Sequence, residues 1–418
     1  MKIKQYVINM EKKAKAASWV LPSVPTETKN RILLALADSL LKNRTKLFRA
    51  NRKDLAQAQR QGLSQAFLDR LLLDEKRIDA MAQSLENIAR LADPVGQVIK
   101  SYRRPNGLLI KKVRVPIGVI AIIYEARPNV TSDCIGLCLK SGNAVILRGG
   151  KEALNSNLAV FNILSQVIKK YHLPEGAINL IRHSQRKAID ILLSQQNYID
   201  LVIPRGGEGL IRLVSKKSQI PVIKHYKGIC HVYVDQAADL SLARKVVFNA
   251  KVQRPGVCNA METLLVHRAV AKRFLPEMIR KLQAAAVEIR GCPQARRIVK
   301  TLKKASAQDW SREYLDLILS VKVVPSLKQA IEHINRYGSR HSDAIISQDR
   351  LRQKEFLDGV DSACVYVNAS TRFTDGYEFG LGAEMGISTD KIHCRGPMAL
   401  EELTTYKYKI FGKGQIRT

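Results

Sequence analysis

The 418-residue chain reads as an α/β protein: a doubly wound segment of alternating strand and helix followed by a second α/β segment, with a helical block ahead of them and a small antiparallel β arm. Three observations carry that reading. Residues 117–124 and 144–147 are runs of strand length, apolar on both faces, as parallel strands covered on both sides must be. Stretches of helical spacing separate such runs, 132–140 and 153–171 among them. Residues 96–115 and 403–410 alternate instead, like a half-exposed hairpin and a strand free to pair with it.

Residues 1–95 are expected to be helical. Thr26-Glu27-Thr28 opens one helix, Ile32, Leu33, Leu36, Leu40 and Leu41 line its apolar face, and Asn43 closes it. Further patterns run through Phe67, Leu68, Leu71 and Leu72 and through Met81, Leu85, Ile88 and Leu91, until Asp93-Pro94 ends the block. Pro105-Asn106-Gly107 between 98–103 and 108–115 predicts a hairpin. The first α/β segment then follows with strands at 117–124, 144–147, 178–181, 201–203 and 222–225. Its helices fall at 132–140, 153–171, 184–195 and 210–217. The second segment carries strands at 231–234, 263–266, 318–324, 344–347 and 364–368. The expected division is one domain of 1–95 with 116–229, a second of 230–386, and an arm of 96–115 with 387–418.

Composition narrows the function classes. With 46% hydrophobic and 25% charged residues the chain is an ordinary globular one, not a disordered or fibrous one. No apolar run approaches the roughly 20 residues that span a bilayer, and no h-region follows Met1-Lys2-Ile3. Seven cysteines, an odd number without a framework, point to a reducing compartment, so a cytoplasmic location is expected. The net charge of +32 raises nucleic-acid binding as a rival. Against it, the cations are dispersed, and no zinc-ligand spacing or aromatic-basic segment accompanies them. Specific nucleic-acid binding and membrane binding are therefore not expected; the charge suits anionic small molecules.

The chemistry concentrates at Gln253-Arg254-Pro255-Gly256-Val257-Cys258-Asn259-Ala260-Met261-Glu262-Thr263. A cysteine after a Pro-Gly turn and before a buried strand is presented as a nucleophile is. Arg254 offers a cation that would help ionise a thiol of ordinary pKa about 8.5. The glycines Gly206, Gly207 and Gly209 could seat a phosphate on a helix N-terminus or could form a plain strand-to-helix turn. In Leu147-Arg148-Gly149-Gly150-Lys151, Arg148 and Lys151 stand where a ribose or its 2′-phosphate would lie, which favours NADP over NAD. Asn129, in Tyr124-Glu125-Ala126-Arg127-Pro128-Asn129, could donate to an oxyanion or could cap the following helix. Cys134 and Cys138 read as core, and no metal site is expected. His225, His231 and His393 read as structural, with His225 the one to test.

Ile123 to Val130, Leu139-Lys140-Ser141-Gly142-Asn143-Ala144-Val145, Gln253 to Glu262, Asn368 to Gly376 and Gly380 to Thr389 together carry a family resemblance. Over nearly its whole length the chain resembles the aldehyde dehydrogenase superfamily, and within it the branch that reduces an acyl phosphate. The resemblance implies a Rossmann-type cofactor domain, an α/β catalytic domain and a small β oligomerisation arm, hence a homo-oligomer. It implies NADPH-dependent reduction of L-glutamate 5-phosphate to L-glutamate 5-semialdehyde with release of phosphate, the second step of proline biosynthesis from glutamate. A functional contact with glutamate 5-kinase, which makes the acyl phosphate, goes with that expectation. Carried over by position, Cys258 is the nucleophile, and Asn129 with the Cys258 backbone N–H forms the oxyanion hole. Arg148 stands where the superfamily has a lysine at the adenosine ribose. Glu313 matches the glutamate that holds the nicotinamide ribose, although Glu313-Tyr314-Leu315-Asp316 departs from the usual wording. Arg127, His225, Arg254 and Arg372 are candidates for the leaving phosphate or the substrate carboxylate. Where hydrolytic members carry a Glu-Leu-Gly-Gly general base, this chain reads Lys224-His225-Tyr226-Lys227-Gly228. Reducing a thioester needs no base to activate water. The alternatives are a hydrolytic or CoA-acylating aldehyde dehydrogenase and, further off, a basic nucleic-acid-binding protein.

Overall fold

The structure, a computed structural model, describes residues 3–224 and 226–417. By its internal contacts the chain divides into two units, residues 1–224 with 380–386 and 398–418, and residues 225–379 with 387–397.

The first unit is built on a four-stranded parallel sheet in the order Ile178–Leu180, Ala144–Arg148, Val119–Tyr124, Leu201–Arg205. The two central strands are buried at every position, which is why their sequences are apolar without alternation. Register sets Ile123 beside Arg148 and Tyr124 beside Arg205, so the segments after three strands emerge along one edge of the sheet. Helix Glu75–Arg90 buries Met81, Leu85 and Ile88 as expected, and Ile78 besides, while Leu91 falls just past its end, and helix Thr26–Lys42 buries Ile32, Leu33, Leu36 and Leu40. The helix after the first strand begins at Asn129, not near residue 132. Of the expected strand at 222–225, the described residues 222–224 carry one bridge, Val202 to Val222, and residue 225 lies outside the described residues.

The arm is a three-stranded antiparallel sheet with Leu109–Pro116 between Val98–Arg103 and Thr404–Phe411. Its hairpin turns where expected. Arg104 N–H donates to the Leu108 carbonyl at 2.8 Å, and Gly107 takes φ +91°, a conformation glycine adopts without strain.

The second unit carries a seven-stranded parallel sheet, ordered Lys303–Lys304, Glu288–Gly291, Ile318–Val324, Met261–His267, Cys230–Val234, Ser342–Ile346, Cys364–Val367. Two of these, Glu288–Gly291 and Lys303–Lys304, went unforeseen: at four and two residues they are too short for a strand period to stand out, although Glu288–Gly291 alternates half-buried and buried positions. The central Met261–His267 is buried throughout. Its successive side chains serve opposite faces, Leu264 in a cluster with Phe274, Met278 and Ile279, and Leu265 in one with Tyr233 and Ile345. Among the described residues no helix is long and apolar enough to cross a membrane.

Candidate active site

In the second unit Cys258 lies in the turn between helix Leu240–Val252 and strand Met261–His267. Of the seven free cysteines five are buried, whereas Cys258 and Cys394 are half-buried, so Cys258 combines a shaped turn with access. Polar contacts brace the turn from several sides. Asn259 Nδ2 donates to the Thr374 carbonyl at 2.8 Å, and the Asn259 carbonyl accepts from Thr371 Oγ1 at 2.7 Å. Arg372 donates through Nε to Gln253 Oε1 at 2.9 Å and through a terminal nitrogen to Asn259 Oδ1. The Cys230 thiol donates to the Cys258 carbonyl at 3.2 Å.

Gly228 presses on the same turn. A Cβ built there would overlap the carbonyl carbon, carbonyl oxygen and Cα of Cys258, so only glycine lets the two backbones approach this closely. The Gly228 N–H donates to Glu313 Oε1 at 2.7 Å. Glu313, Gly228, Cys258, Arg254 and Arg372 therefore form one neighbourhood. Burial, then the like charge of Arg254, hold the Arg372 guanidinium below its usual range, while Cys258 and Asp375 act in the opposite direction. Two cations thus bear on the cysteine turn, Arg254 exposed and Arg372 partly buried. His225 lies outside the described residues.

In the first unit the candidate residues line the sheet edge described above. Asn129 is the first residue of its helix and does not cap it; its Nδ2 donates to Asp133 Oδ2 at 3.1 Å. Asp133 also accepts from Ser84 Oγ at 2.9 Å, and burial pushes its carboxyl up to about 6 against the pull of Ser84, Asn129 and Arg205. Arg127 is exposed, its backbone N–H donating to the Glu125 carbonyl at 2.8 Å.

The glycine turn holds a carboxylate of the chain itself. Gly207 N–H donates to Glu125 Oε2 at 2.8 Å, and a Cβ at Gly206 would lie 2.5 Å from that oxygen. Gly209 lies inside helix Glu208–Lys217 with open space around it. Arg148 ends its strand nearly buried, donating to the Ser184 carbonyl at 2.9 Å, while its Nε is buried without a partner among the described residues. Burial lowers its pKa, with Glu152 and Tyr124 opposing. Lys151 is exposed at the start of the 3-10 turn Lys151–Ala153. An orphaned guanidinium N–H at the C-terminal end of a parallel strand, with an exposed lysine opening the turn that follows, suits an anionic or hydroxyl-rich group such as a nucleotide ribose.

Sequence reasoning passed over Gly228, Asn259 and Glu262 as functional positions. A signal existed for Glu262, a lone charge inside the apolar run Met261–His267, since a charge is fully buried only with a partner. Gly228 had none, because its contact joins segments thirty residues apart.

A parallel-sheet unit with cations at the C-terminal ends of its strands and a second unit presenting a braced, half-buried cysteine are what an aldehyde dehydrogenase requires. The chain belongs to the aldehyde dehydrogenase family, whose sequence model matches residues 4–290. That family uses a nicotinamide cofactor. Within it the chain falls among the gamma-glutamyl phosphate reductases. It is 54% identical over 417 residues to one of that name from Thermodesulfovibrio yellowstonii, covering 100% of both chains. The crystal structure of the gamma-glutamyl phosphate reductase of Thermotoga maritima matches with a TM-score of 0.96 and 46% identity, covering 99% of this chain and 100% of that one. An acetylating aldehyde dehydrogenase from Geobacillus thermoglucosidasius shares the fold at 16% identity, TM-score 0.70, covering 100% of this chain and 98% of that one.

Proposed function

We propose that the protein reduces L-glutamate 5-phosphate to L-glutamate 5-semialdehyde with release of phosphate, in proline biosynthesis, through a thioester on Cys258. The full-length identity to relatives named for that activity carries the reading; the half-exposed cysteine in its braced turn supports it. Cys258 Sγ attacks the acyl carbon, the carbonyl electrons move to oxygen, and the Cys258 backbone N–H with the Asn129 amide takes up that charge. Removing one such donor costs about 2.7–4 kcal/mol of barrier. As the oxyanion collapses the C–O bond to phosphate breaks, leaving the thioester and inorganic phosphate. Arg254, Arg372, Arg127 and His225 are the proposed cations for the departing phosphate or the substrate carboxylate.

NADPH, when bound, supplies the hydride that brings the thioester to the aldehyde level. Arg148 and Lys151 would hold its adenosine end and Glu313 its nicotinamide ribose. For Gly206 and Gly207 to serve its phosphates, the Glu125 carboxylate must leave the Gly207 amide. Sulfur then departs as thiolate when the tetrahedral adduct collapses, which returns the enzyme. Self-association through the arm is part of the reading, supported by the exposed Val98, Ile99, Tyr406, Tyr408, Ile410 and Phe411. So are a cytoplasmic location and receipt of the acyl phosphate from glutamate 5-kinase.

The test is the reverse reaction. Glutamate 5-semialdehyde should reduce NADP in a phosphate-dependent manner, and Cys258→Ala should abolish it. Oxidation that depends on CoA or water in place of phosphate, or a Cys258→Ala protein of wild-type rate, refutes the proposal.

A further inference from the structure

One fully buried ion pair has no part in that mechanism. Lys251 of helix Leu240–Val252 and Glu262 of strand Met261–His267 meet with Nζ and Oε2 2.8 Å apart, both side chains without exposure. A buried ion pair is weak evidence of stabilisation, because an apolar pair of similar volume often serves as well. What distinguishes this one is the other carboxylate oxygen. Glu262 Oε1 accepts the backbone N–H groups of both Tyr314 at 3.1 Å and Leu315 at 3.0 Å. Leu315 sits at φ +54°, in the left-handed region that a leucine rarely adopts. The residue before Tyr314 is Glu313, whose carboxylate receives the Gly228 N–H, and Gly228 abuts the Cys258 backbone.

We propose that Glu262 is a positioning residue for the reaction: by gathering the amides of Tyr314 and Leu315 it fixes the loop from which Glu313 holds Gly228, and thereby the seat of Cys258. This rests on reading Cys258 as the nucleophile. Lys251 aims the Glu262 carboxylate; the acceptor oxygen carries the function. Burial pushes the Glu262 carboxyl up to about 7, with Lys251 and the Leu315 amide opposing it.

Removing Glu262 alone would strand the Lys251 charge in the core, so the test uses two double variants. Lys251→Met with Glu262→Gln removes the ion pair and keeps an acceptor for the two amides. Lys251→Met with Glu262→Leu removes the acceptor as well. The leucine double should lose about 100-fold in kcat per folded molecule, the cost of a nucleophile misplaced by about 1 Å, and its Cys258 should react with iodoacetamide at an altered rate. The glutamine double should recover most of both. A leucine double of wild-type kcat and alkylation rate, or a glutamine double as impaired as the leucine one, overturns the proposal. Hydrogen exchange on the wild-type enzyme tests it whether or not the doubles fold: the Tyr314 and Leu315 amides should be strongly protected, and exchange at the rate of an open loop overturns it. Failure of the underlying reading shows separately, as activity surviving in Cys258→Ala.

Discussion

Replacing Gly228 by alanine adds a single methyl group, and its effect follows from the packing. Gly228 has no left-handed φ to lose, so the change carries no backbone penalty of its own. The added Cβ, however, would fall on three backbone atoms of Cys258, each well inside the 3.0 Å that Cβ atoms essentially never breach. Carbon atoms pack at about 3.5–4.0 Å, so one backbone must retreat by on the order of 1 Å, and a displacement of that size at a reacting centre costs about 10²-fold. That corresponds to roughly 2.7 kcal/mol of barrier. Overpacking should also cost stability, about 1–3 kcal/mol. The assay is phosphate-dependent NADP reduction by glutamate 5-semialdehyde, with kcat and KM separated and the folded fraction measured by thermal unfolding. The loss should fall on kcat, and iodoacetamide should modify Cys258 at a changed rate. A folded Gly228→Ala enzyme within about threefold of wild-type kcat, against the 10²-fold expected, would show that the contact does not hold the nucleophile.

Three further predictions concern other residues. Asn129→Ala should lower kcat by about 10²–10³ as the loss of one oxyanion donor does; an unchanged kcat removes Asn129 from the mechanism. Arg372→Lys keeps the charge but cannot bridge Gln253 and Asn259 as a planar fork does, so Cys258 alkylation and kcat should both change at unchanged net charge, and if neither does the brace is incidental. Glu11 is fully buried, neither carboxylate oxygen has a partner among the described residues, and burial raises its pKa from 4.5 to about 8. The folded state then keeps a proton that the unfolded state releases, so stability falls as pH rises from about 4.5 to about 8 and levels off above. At pH 7 that difference is on the order of 3 kcal/mol. Urea unfolding of Glu11→Gln should lack this decline; parallel pH profiles for variant and wild type would rule the effect out.

Local pattern was enough for several elements. Unbroken apolar runs marked Val119–Tyr124 and Ala144–Arg148 as strands buried on both faces, and Pro105-Asn106-Gly107 marked the hairpin. The Pro-Gly turn into an apolar strand marked Cys258, because presenting a side chain from a tight loop uses residue types that a packed core avoids. Where an element is too short, pattern fails: Glu288–Gly291 alternates in burial over only four residues and is held in place by its neighbour Ile318–Val324.

What the chain alone determined is therefore the alternation of strand and helix and the family, together with the cysteine proposed as nucleophile. All of these are written in short-range periodicity or in contiguous blocks of residues. Only the tertiary structure decided that Gly228 bears on Cys258, that Arg372 ties Gln253 to Asn259, that Glu125 fills the glycine turn, and that Glu262 gathers two amides of a distant loop. Each of these is a contact that no local pattern announces, and most join segments far apart in sequence. Hydrogen-bond reach and van der Waals overlap depend on distances in space, and residue spacing along a chain does not encode those distances until the sheet brings the segments together.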